Sequence, residues 1–202
     1  MHEPRHARIG FYTARPGDLD AVLDRAREEV IPMLELEPGF RRYTVVRTGA
    51  DTLASITGWD THAQAGAAAR RLSAWVAEVM GPELISVENH IAEVVHLTET
   101  SSATPAFGRI ALWQFKPGMR EAIRPRVEGE FVPLLQRQPG FVRYVAFQAG
   151  EDDAITFTGF ASREQAAEAM AVVRPWVEAN AVPAAASVAR HEGLVVWSLR
   201  AD

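Results

Sequence analysis

Hydrophobic and polar residues follow two different periods along the first half of the chain. Five apolar residues recur at steps of three and four, which predicts a helix with one apolar stripe: Leu19, Val22, Leu23, Ala26 and Val30. Four short runs rich in β-branched and aromatic residues predict strands, at 8–13, 40–48, 53–59 and 87–97. Thr61 followed by Gln64 matches a capping box, and Gly81-Pro82 should end the helix that it begins.

The whole pattern recurs after a shift of 101 positions without a gap. Pro38-Gly39-Phe40 falls on Pro139-Gly140-Phe141, and Arg8-Ile9 falls on Arg109-Ile110. Roughly thirty of about ninety aligned positions are identical, which indicates an internal duplication. The polar stretch between the copies predicts a linker. The predicted boundaries are a first repeat at 1–97, a linker at 98–106 and a second repeat at 107–202.

Each repeat has the predicted order β-α-β-β-α-β, which is the split βαβ or ferredoxin-like arrangement of the α+β class. Both helices of such a unit cover one face of an antiparallel sheet, so the other face must be buried elsewhere. We therefore expect the two sheets to pack face to face as an intramolecular barrel with a cavity between the repeats. Two prolines lie inside helical patterns: Pro32 should kink or end its helix, and Pro175 should bend or split the last helix before Trp176.

The duplicated motifs resemble the antibiotic biosynthesis monooxygenase superfamily. Pro16-Gly17, Pro38-Gly39-Phe40 and Gly58-Trp59 carry the likeness in the first repeat, and their counterparts carry it in the second. The resemblance implies the dimeric α+β barrel fold, here as a dimer fused into one chain. It also implies a range of activities: cofactor-free oxygenases acting on phenols, heme-degrading oxygenases, decarboxylases, isomerases and proteins without known chemistry.

Composition narrows the chemistry. The chain has 202 residues and no cysteine, which excludes disulfides, thiolate metal sites and a cysteine nucleophile. A net charge of −5 disfavours nucleic acid and anionic membranes as partners. The polar start predicts no secretory signal, and no run approaches a membrane span, so a cytoplasmic location is expected. No nucleotide-binding glycine motif and no zinc motif is present, so we predict neither a nucleotide nor a metal cofactor.

Strand alternation supplies candidate ligand-binding residues. Ile9 and Phe11 are assigned to the helix side, because aliphatic residues at the same positions of both repeats suit that core. Tyr12 and Trp113 should then face the cavity. The third strand of each repeat adds small hydroxyls and aromatics that suit a flat apolar ligand: Thr57, Trp59, Thr158 and Phe160. The alternative interpretation is that these residues pack the two sheets together without an open space.

His90 and His191 occupy equivalent positions on the last strands and are the candidate catalytic residues. A neutral imidazole there could act as a base on a phenol or ligate heme iron, or it could be purely structural. The favoured hypothesis is a cofactor-independent monooxygenase for a small aromatic or phenolic molecule. A non-catalytic ligand-binding or stress-related protein and a heme-binding or heme-degrading protein are the alternatives. The duplication is compatible with a monomer containing its own pseudo-dimer or with a homodimer.

Overall fold

The computed structural model describes residues 3–100 and 103–201. Both repeats have the predicted order of elements, and the α+β class with two ferredoxin-like repeats is confirmed. The first repeat comprises β1 (His6–Ala14), α1 (Leu19–Arg25), a π-helical turn (Ala26–Val30), α2 (Ile31–Glu35), β2 (Phe40–Arg47), β3 (Thr52–Trp59), α3 (His62–Val79) and β4 (Leu84–Glu99).

The second repeat follows the same order. It comprises β5 (Phe107–Phe115), α4 (Met119–Arg126), a π-helical turn (Val127–Phe131), α5 (Val132–Gln136), β6 (Phe141–Gln148), β7 (Asp153–Phe160), α6 (Arg163–Ala184) and β8 (Ala185–Arg200). Strand β4 extends to Glu99, into the segment expected to be linker, and positions 101–102 of that linker lie outside the described residues. Within the described ranges, no helix is both long enough and apolar enough to span a membrane.

The chain forms two compact units whose limits fall inside β4 and β8. The first unit holds the residues up to Glu93 and those from Val196 onward, and the second holds Val94–Val195. In the first unit, the strands are hydrogen-bonded in the order β4-β1-β3-β2, and the end of β8 continues this sheet beside β2. In the second unit, the order is β8-β5-β7-β6, and the end of β4 continues beside β6. Each sheet is therefore completed by the end of the other repeat's last strand.

The helix-covered face of each sheet is the opposite of the one assigned from the sequence. Tyr12, Tyr43 and Trp59 pack with Leu19, Val22 and Leu72 of the helices. Ile9 is fully buried, but it belongs to the other face, because it alternates with Arg8 and Gly10 along β1. The assignment of Ile9 and Phe11 to the helix side was wrong. Aliphatic character did not distinguish the faces, because both faces of these strands contain buried residues.

The two prolines expected to disturb helices behave differently. Before Pro32, the helix widens into the π-helical turn Ala26–Val30 and then continues as α2, with the proline in its first turn. This wider turn accommodates a residue without a backbone N–H, so the helix is not ended there. Helix α6 is continuous through Pro175, and the split expected before Trp176 does not occur.

The Pro-Gly-Phe motif has a steric basis in both repeats. Gly39 has a φ of +79°, in the left-handed region that favours glycine. A Cβ on Gly39 would lie 2.3 Å from the Oε1 atom of Gln64. That oxygen accepts a hydrogen bond from the backbone N–H of Thr61 at 3.0 Å, and completes the predicted capping box of α3. The glycine thus makes room for the cap of the following helix.

Replacing Gly39 should therefore destabilise the protein more than replacing a glycine whose only special feature is a positive φ angle. Gly17 has a φ of +89° and nothing within 4 Å of a Cβ placed on it, so it is the matched control. We expect Gly17→Ala to lower the free energy of unfolding by about 1–2 kcal/mol from backbone strain alone. Gly39→Ala should lower it further, because the cap is displaced as well. Urea unfolding of both variants tests this, and equal losses would contradict the steric role of the cap.

Candidate functional site

A cavity of about 170 Å³ lies inside the second unit. Its walls are the helix-covered face of the sheet on one side and α4, the π-helical turn and α6 on the other. Aromatic and aliphatic side chains form most of the lining, chiefly Trp113, Phe115, Ile123, Val127, Phe131 and Trp176. Such a surface suits a flat apolar ligand.

Neighbouring contacts hold the aromatic walls in place. The ring of Trp113 stacks on Phe115 at a centroid distance of 5.8 Å, and its Nε1 donates to the Thr156 hydroxyl at 3.3 Å. On the opposite wall, the rings of Trp176 and Phe131 lie 5.1 Å apart. Trp176 Nε1 donates to Glu130 at 2.8 Å, so its polar edge is satisfied away from the apolar lining. The residues of the π-helical turn thus contribute directly to the cavity wall.

Four arginines also border the cavity, and its lining contains no carboxylate. Arg109 pairs with Glu192 at 2.6 Å, and Arg120 pairs with Glu121 at 2.9 Å. Arg190 lies 5.9 Å from the centre of the Trp113 ring, and no carboxylate of the described residues pairs with it. The fourth, Arg124, is exposed. A cavity with aromatic walls and a cationic border is suited to an aromatic molecule that carries an oxygen or a negative charge.

Arg109 is the one cavity arginine on the first strand of the sheet, and its side chain is half-buried. Burial lowers the pKa of Arg109, with the Glu192 carboxylate opposing that effect and the charges of Arg190 and Arg174 adding to it. The cause is the loss of water around the guanidinium, which destabilises the charged form. A ligand oxygen at this position would restore part of the lost solvation.

In the first unit, the side chains of Arg8 and Tyr12 occupy the equivalent region. Arg8 is 1 % exposed, and its guanidinium donates to the Tyr12 hydroxyl at 2.6 Å and to Ser55 at 3.1 Å. It also donates to the side-chain oxygen of Asn89. No carboxylate among the described residues pairs with Arg8, so neutral oxygens alone solvate this buried charge.

The structure brings three of the eight predicted site residues together. Trp113, Thr158 and His191 border the cavity of the second unit. The cavity was expected between the repeats, whereas this one lies within the second unit, where Val95 of the first repeat also borders it. Phe160 is fully buried in the core beside Phe141, and Tyr12 belongs to the first unit.

The remaining first-repeat candidates are also packed. Thr57 is fully buried and accepts a hydrogen bond from Trp59 Nε1 at 3.0 Å. Trp59 in turn packs edge-on against Phe40, with 5.5 Å between ring centres. These two residues therefore meet each other and the core of their own unit, and they stabilise the sheet–helix packing.

The two histidines lie on the sheet face away from the helices. His191 is opposite Ile110 in the ladder, between Arg190 and Glu192, whose side chains reach Trp113 and Arg109 on the helix side. Alternation therefore directs the His191 side chain to the other face, although the residue borders the cavity. His90 is half-buried, bonded to Glu88 at 2.8 Å, and packs edge-on against Phe11 at 6.0 Å. The described residues contain no cluster of three or more metal-ligating side chains.

The arginines and the Trp176–Phe131 pair were not predicted to line the cavity. Arg109 and Trp176 are duplicated from Arg8 and Trp75, and this recurrence was the available signal for both. Trp176 lies on the apolar stripe of its helix, a position that predicts a core residue. It does face the interior, where part of that interior is open.

Comparison with known proteins agrees with the fold and the motifs. Residues 5–77 match the sequence model of the family described as antibiotic biosynthesis monooxygenase. The first repeat therefore resembles that family in sequence. The antibiotic biosynthesis monooxygenase match covers the first repeat from β1 to most of α3, which includes both the Pro-Gly-Phe motif and the capping box. A search of curated proteins found no match.

Solved structures resemble the whole chain. A proposed monooxygenase from Fusobacterium nucleatum has a TM-score of 0.76 at 9% identity, over 99% of this chain and 96% of the other. An anthrone oxidase-like protein has a TM-score of 0.67 at 15% identity, over 99% and 94%. A mutant chlorite dismutase from Candidatus Nitrospira defluvii has a TM-score of 0.66 at 11% identity, over 98% and 93%. At these identities, the likeness establishes the fold and leaves the activity open.

Removing the Tyr12 hydroxyl should destabilise the protein. Tyr12→Phe leaves the buried Arg8 guanidinium with one acceptor fewer, so we expect a loss of about 1.5–3 kcal/mol in the free energy of unfolding. Tyr144→Phe is the matched control, because the Tyr144 hydroxyl has no hydrogen bond among the described residues. Thermal and urea unfolding would measure both, and a loss no larger in Tyr12→Phe than in the control would contradict the proposed role of this contact.

Stability should fall as the solution becomes mildly acidic, through His96. Burial lowers the pKa of His96 below its usual value of 6.5, against the opposing attraction of Glu128. The unfolded chain therefore binds the proton more readily, so this stabilisation is complete above about pH 6.5 and declines as the pH falls towards the folded-state pKa. Urea unfolding of wild type and His96→Gln at several pH values measures the difference. Removing the exposed His62 is the control, and an unchanged pH slope in His96→Gln would refute the assignment.

Proposed function

We propose that the second unit binds a small aromatic molecule carrying a phenolic oxygen and oxygenates it without a nucleotide or metal cofactor. The observation that carries this proposal is the aromatic-walled cavity bordered by arginines and free of carboxylates. The antibiotic biosynthesis monooxygenase domain in the first repeat supports the reaction class, since the second repeat is its duplicate. The anthrone oxidase-like neighbour supports aromatic oxygenation in the same way.

The size of the cavity favours a small substrate. Its volume of about 170 Å³ is close to that of engineered apolar cavities of about 150 Å³, which hold benzene. Ligand sites for larger molecules usually measure about 300–1,000 Å³. A single substituted ring therefore suits this cavity better than a polycyclic phenol does.

The proposed reaction begins with loss of the phenolic proton to solvent at the arginine-lined border. Arg109 and Arg190 stabilise the oxyanion that forms and so lower the pKa of the bound phenol. The electron-rich phenolate then transfers an electron to dioxygen. One oxygen atom of dioxygen replaces the hydrogen of a ring C–H and becomes a C=O group, and the phenolic C–O bond becomes the second C=O. The other oxygen atom leaves as water, so the substrate supplies all four electrons. Phenol would give a quinone and water by this route, with no external reductant.

The two kinds of candidate residue have different expected roles. Arg109 would contact the substrate oxygen, and the aromatic walls would orient the ring and exclude water from it. His191 remains a candidate base by its chemistry, but its place in the ladder directs the imidazole to the other sheet face. We therefore expect Arg109 to contribute more to the rate than His191 does.

Oxygen uptake with substituted phenols tests the proposal. We expect stoichiometric consumption of oxygen and formation of a quinone in wild type. Arg109→Met should lower kcat by about 100-fold, because an oxyanion loses its main donor. Arg137→Met removes an exposed arginine outside the cavity lining and should leave the rate unchanged, and His191→Ala should change it little. Equal rates in Arg109→Met and Arg137→Met would contradict the proposed role of Arg109.

A non-catalytic ligand-binding role is the second candidate, and the same cavity supports it. Saturable quenching of tryptophan fluorescence by a phenol without oxygen uptake would favour binding alone. Trp113 and Trp176 both border the cavity, so either can report a bound ligand. Location in the cytoplasm and assembly as a monomer or homodimer stay predictions.

The heme alternative draws on the likeness of fold to a chlorite dismutase. The residues of this cavity do not fit the group. A volume of about 170 Å³ is too small for a porphyrin macrocycle, and the ladder directs the His191 ring away from the helix side. A Soret band that appears with hemin and is lost in His191→Ala or His90→Ala would favour this alternative.

A further inference from the structure

The space that is open in the second repeat holds the phenol ring of Tyr12 in the first. The Tyr12 hydroxyl contacts Arg8 at 2.6 Å and lies 3.5 Å from the Ser55 hydroxyl, and its ring covers Gly10. Arg8 is held in turn by Asn89. The shift of 101 residues relates Arg8, Gly10, Ser55 and Asn89 to Arg109, Ala111, Thr156 and Arg190, and all four of these counterparts line the cavity.

The Cβ of Ala111, which Gly10 lacks, is one difference between the repeats at this place. If Gly10 carried a Cβ, it would lie 2.7 Å from the Tyr12 hydroxyl oxygen and 2.8 Å from a ring carbon. The second repeat has alanine at this position, so a ring cannot lie in the same place against the strand. Trp113, the counterpart of Tyr12, instead stacks on Phe115 and bonds to Thr156. The place beside Arg109 is left open.

We infer that Tyr12 is a built-in occupant of a ligand site in the first repeat, and that the second repeat takes one external ring whose oxygen binds Arg109. The inference rests on the proposed function for the class of ligand, and it adds the number of sites, the anchoring residue and the position of the ring oxygen. The Tyr12–Arg8 contact is an internal example of the phenol–guanidinium contact that the ligand makes.

Arg190 strengthens the preference for an oxygen at this position. Its counterpart in the first repeat, Asn89, is neutral. Arg190 instead places a second positive charge beside Trp113. The two terminal nitrogens of Arg8 donate to three neutral oxygens of its own unit. Arg109 has the exposed Glu192 as its partner, so a ligand oxygen can approach the remaining donors of its guanidinium.

Calorimetry with phenol and toluene tests the inference without any turnover. The two molecules have nearly the same shape, but only phenol has an oxygen. In wild type, we expect one equivalent of phenol per chain, bound about tenfold or more tightly than toluene. Arg109→Met should abolish that preference, while Arg137→Met should retain it. Equal affinity for phenol and toluene in wild type would overturn the assignment of Arg109.

Exchanging the two distinguishing positions tests the built-in occupant. Ala111→Gly combined with Trp113→Tyr should rebuild the closed arrangement and remove phenol binding. Trp113→Tyr alone keeps the alanine Cβ and should still bind phenol, which makes it the matched control. Undiminished binding by the double variant would overturn the inference.

The reverse change covers the case in which the double variant does not fold. Tyr12→Ala should open the first site beside Arg8 and raise the stoichiometry from one to two equivalents of phenol per chain. Phenol should also raise the melting temperature of this variant more than that of wild type. A stoichiometry that stays at one, with no extra stabilisation, would overturn the inference.

The results separate this inference from the proposed function. Phenol binding that depends on Arg109, without oxygen uptake, would refute the oxygenase proposal and support the site. Oxygen uptake with binding that is insensitive to the exchanges at positions 111 and 113 would support the oxygenase and refute the built-in occupant.

Discussion

An arginine beneath the helices of each repeat, buried in the first repeat and half-buried in the second, determines much of what surrounds it. Arg8 and Arg109 lie on the first strand of their repeats and point to the helix-covered side. Such a charge is stable only when oxygen atoms replace the water that it has lost. The first repeat supplies Tyr12, Ser55 and Asn89 for this purpose. The second supplies the exposed Glu192 and leaves an open space beside the charge.

The two repeats therefore combine one framework with two different interiors. Strand registers, the Pro-Gly-Phe turn and the π-helical turn recur in both. Gly10 and Tyr12 in the first repeat are replaced by Ala111 and Trp113 in the second. These differences leave the framework unchanged and decide whether the space between sheet and helices is filled or open. Duplication allows this divergence, because one copy can remain a filled and stable unit while the other keeps an apolar cavity, which lowers stability.

A sequence match over the first repeat and a likeness of fold leave the chemistry open. The fold is similar to proteins described as monooxygenases and to a chlorite dismutase, at identities of 9% and 11%. Support for phenol oxygenation comes from the site itself: its size, its aromatic walls and a lining that contains four arginines and no carboxylate. A porphyrin does not fit the same walls, so the cavity separates possibilities that the fold does not.

The sequence alone determined the duplication, the order of the elements and the cap of α3, because each depends on residues that are close along the chain. The spacing of Thr61 and Gln64 was enough to predict the cap, since only one turn of helix separates them. For Trp113, the sequence predicted that the side chain faces a cavity. It did not predict that the helices cover the same face of the sheet.

Only the tertiary structure decided which face the helices cover. The alternation of a strand shows which residues share a face, but Ile9 and Tyr12 are both apolar enough for either side, and the charged Arg8 is itself buried. Two of the three acceptors of Arg8 come from β3 and β4, at sequence separations of 47 and 81 residues. The space beside Arg8 is closed because the Tyr12 ring lies over the Cα of Gly10, and the space beside Arg109 is open because no ring of the described residues lies in the same way over Ala111. That contact is set by packing in three dimensions, and no local pattern in the sequence records it.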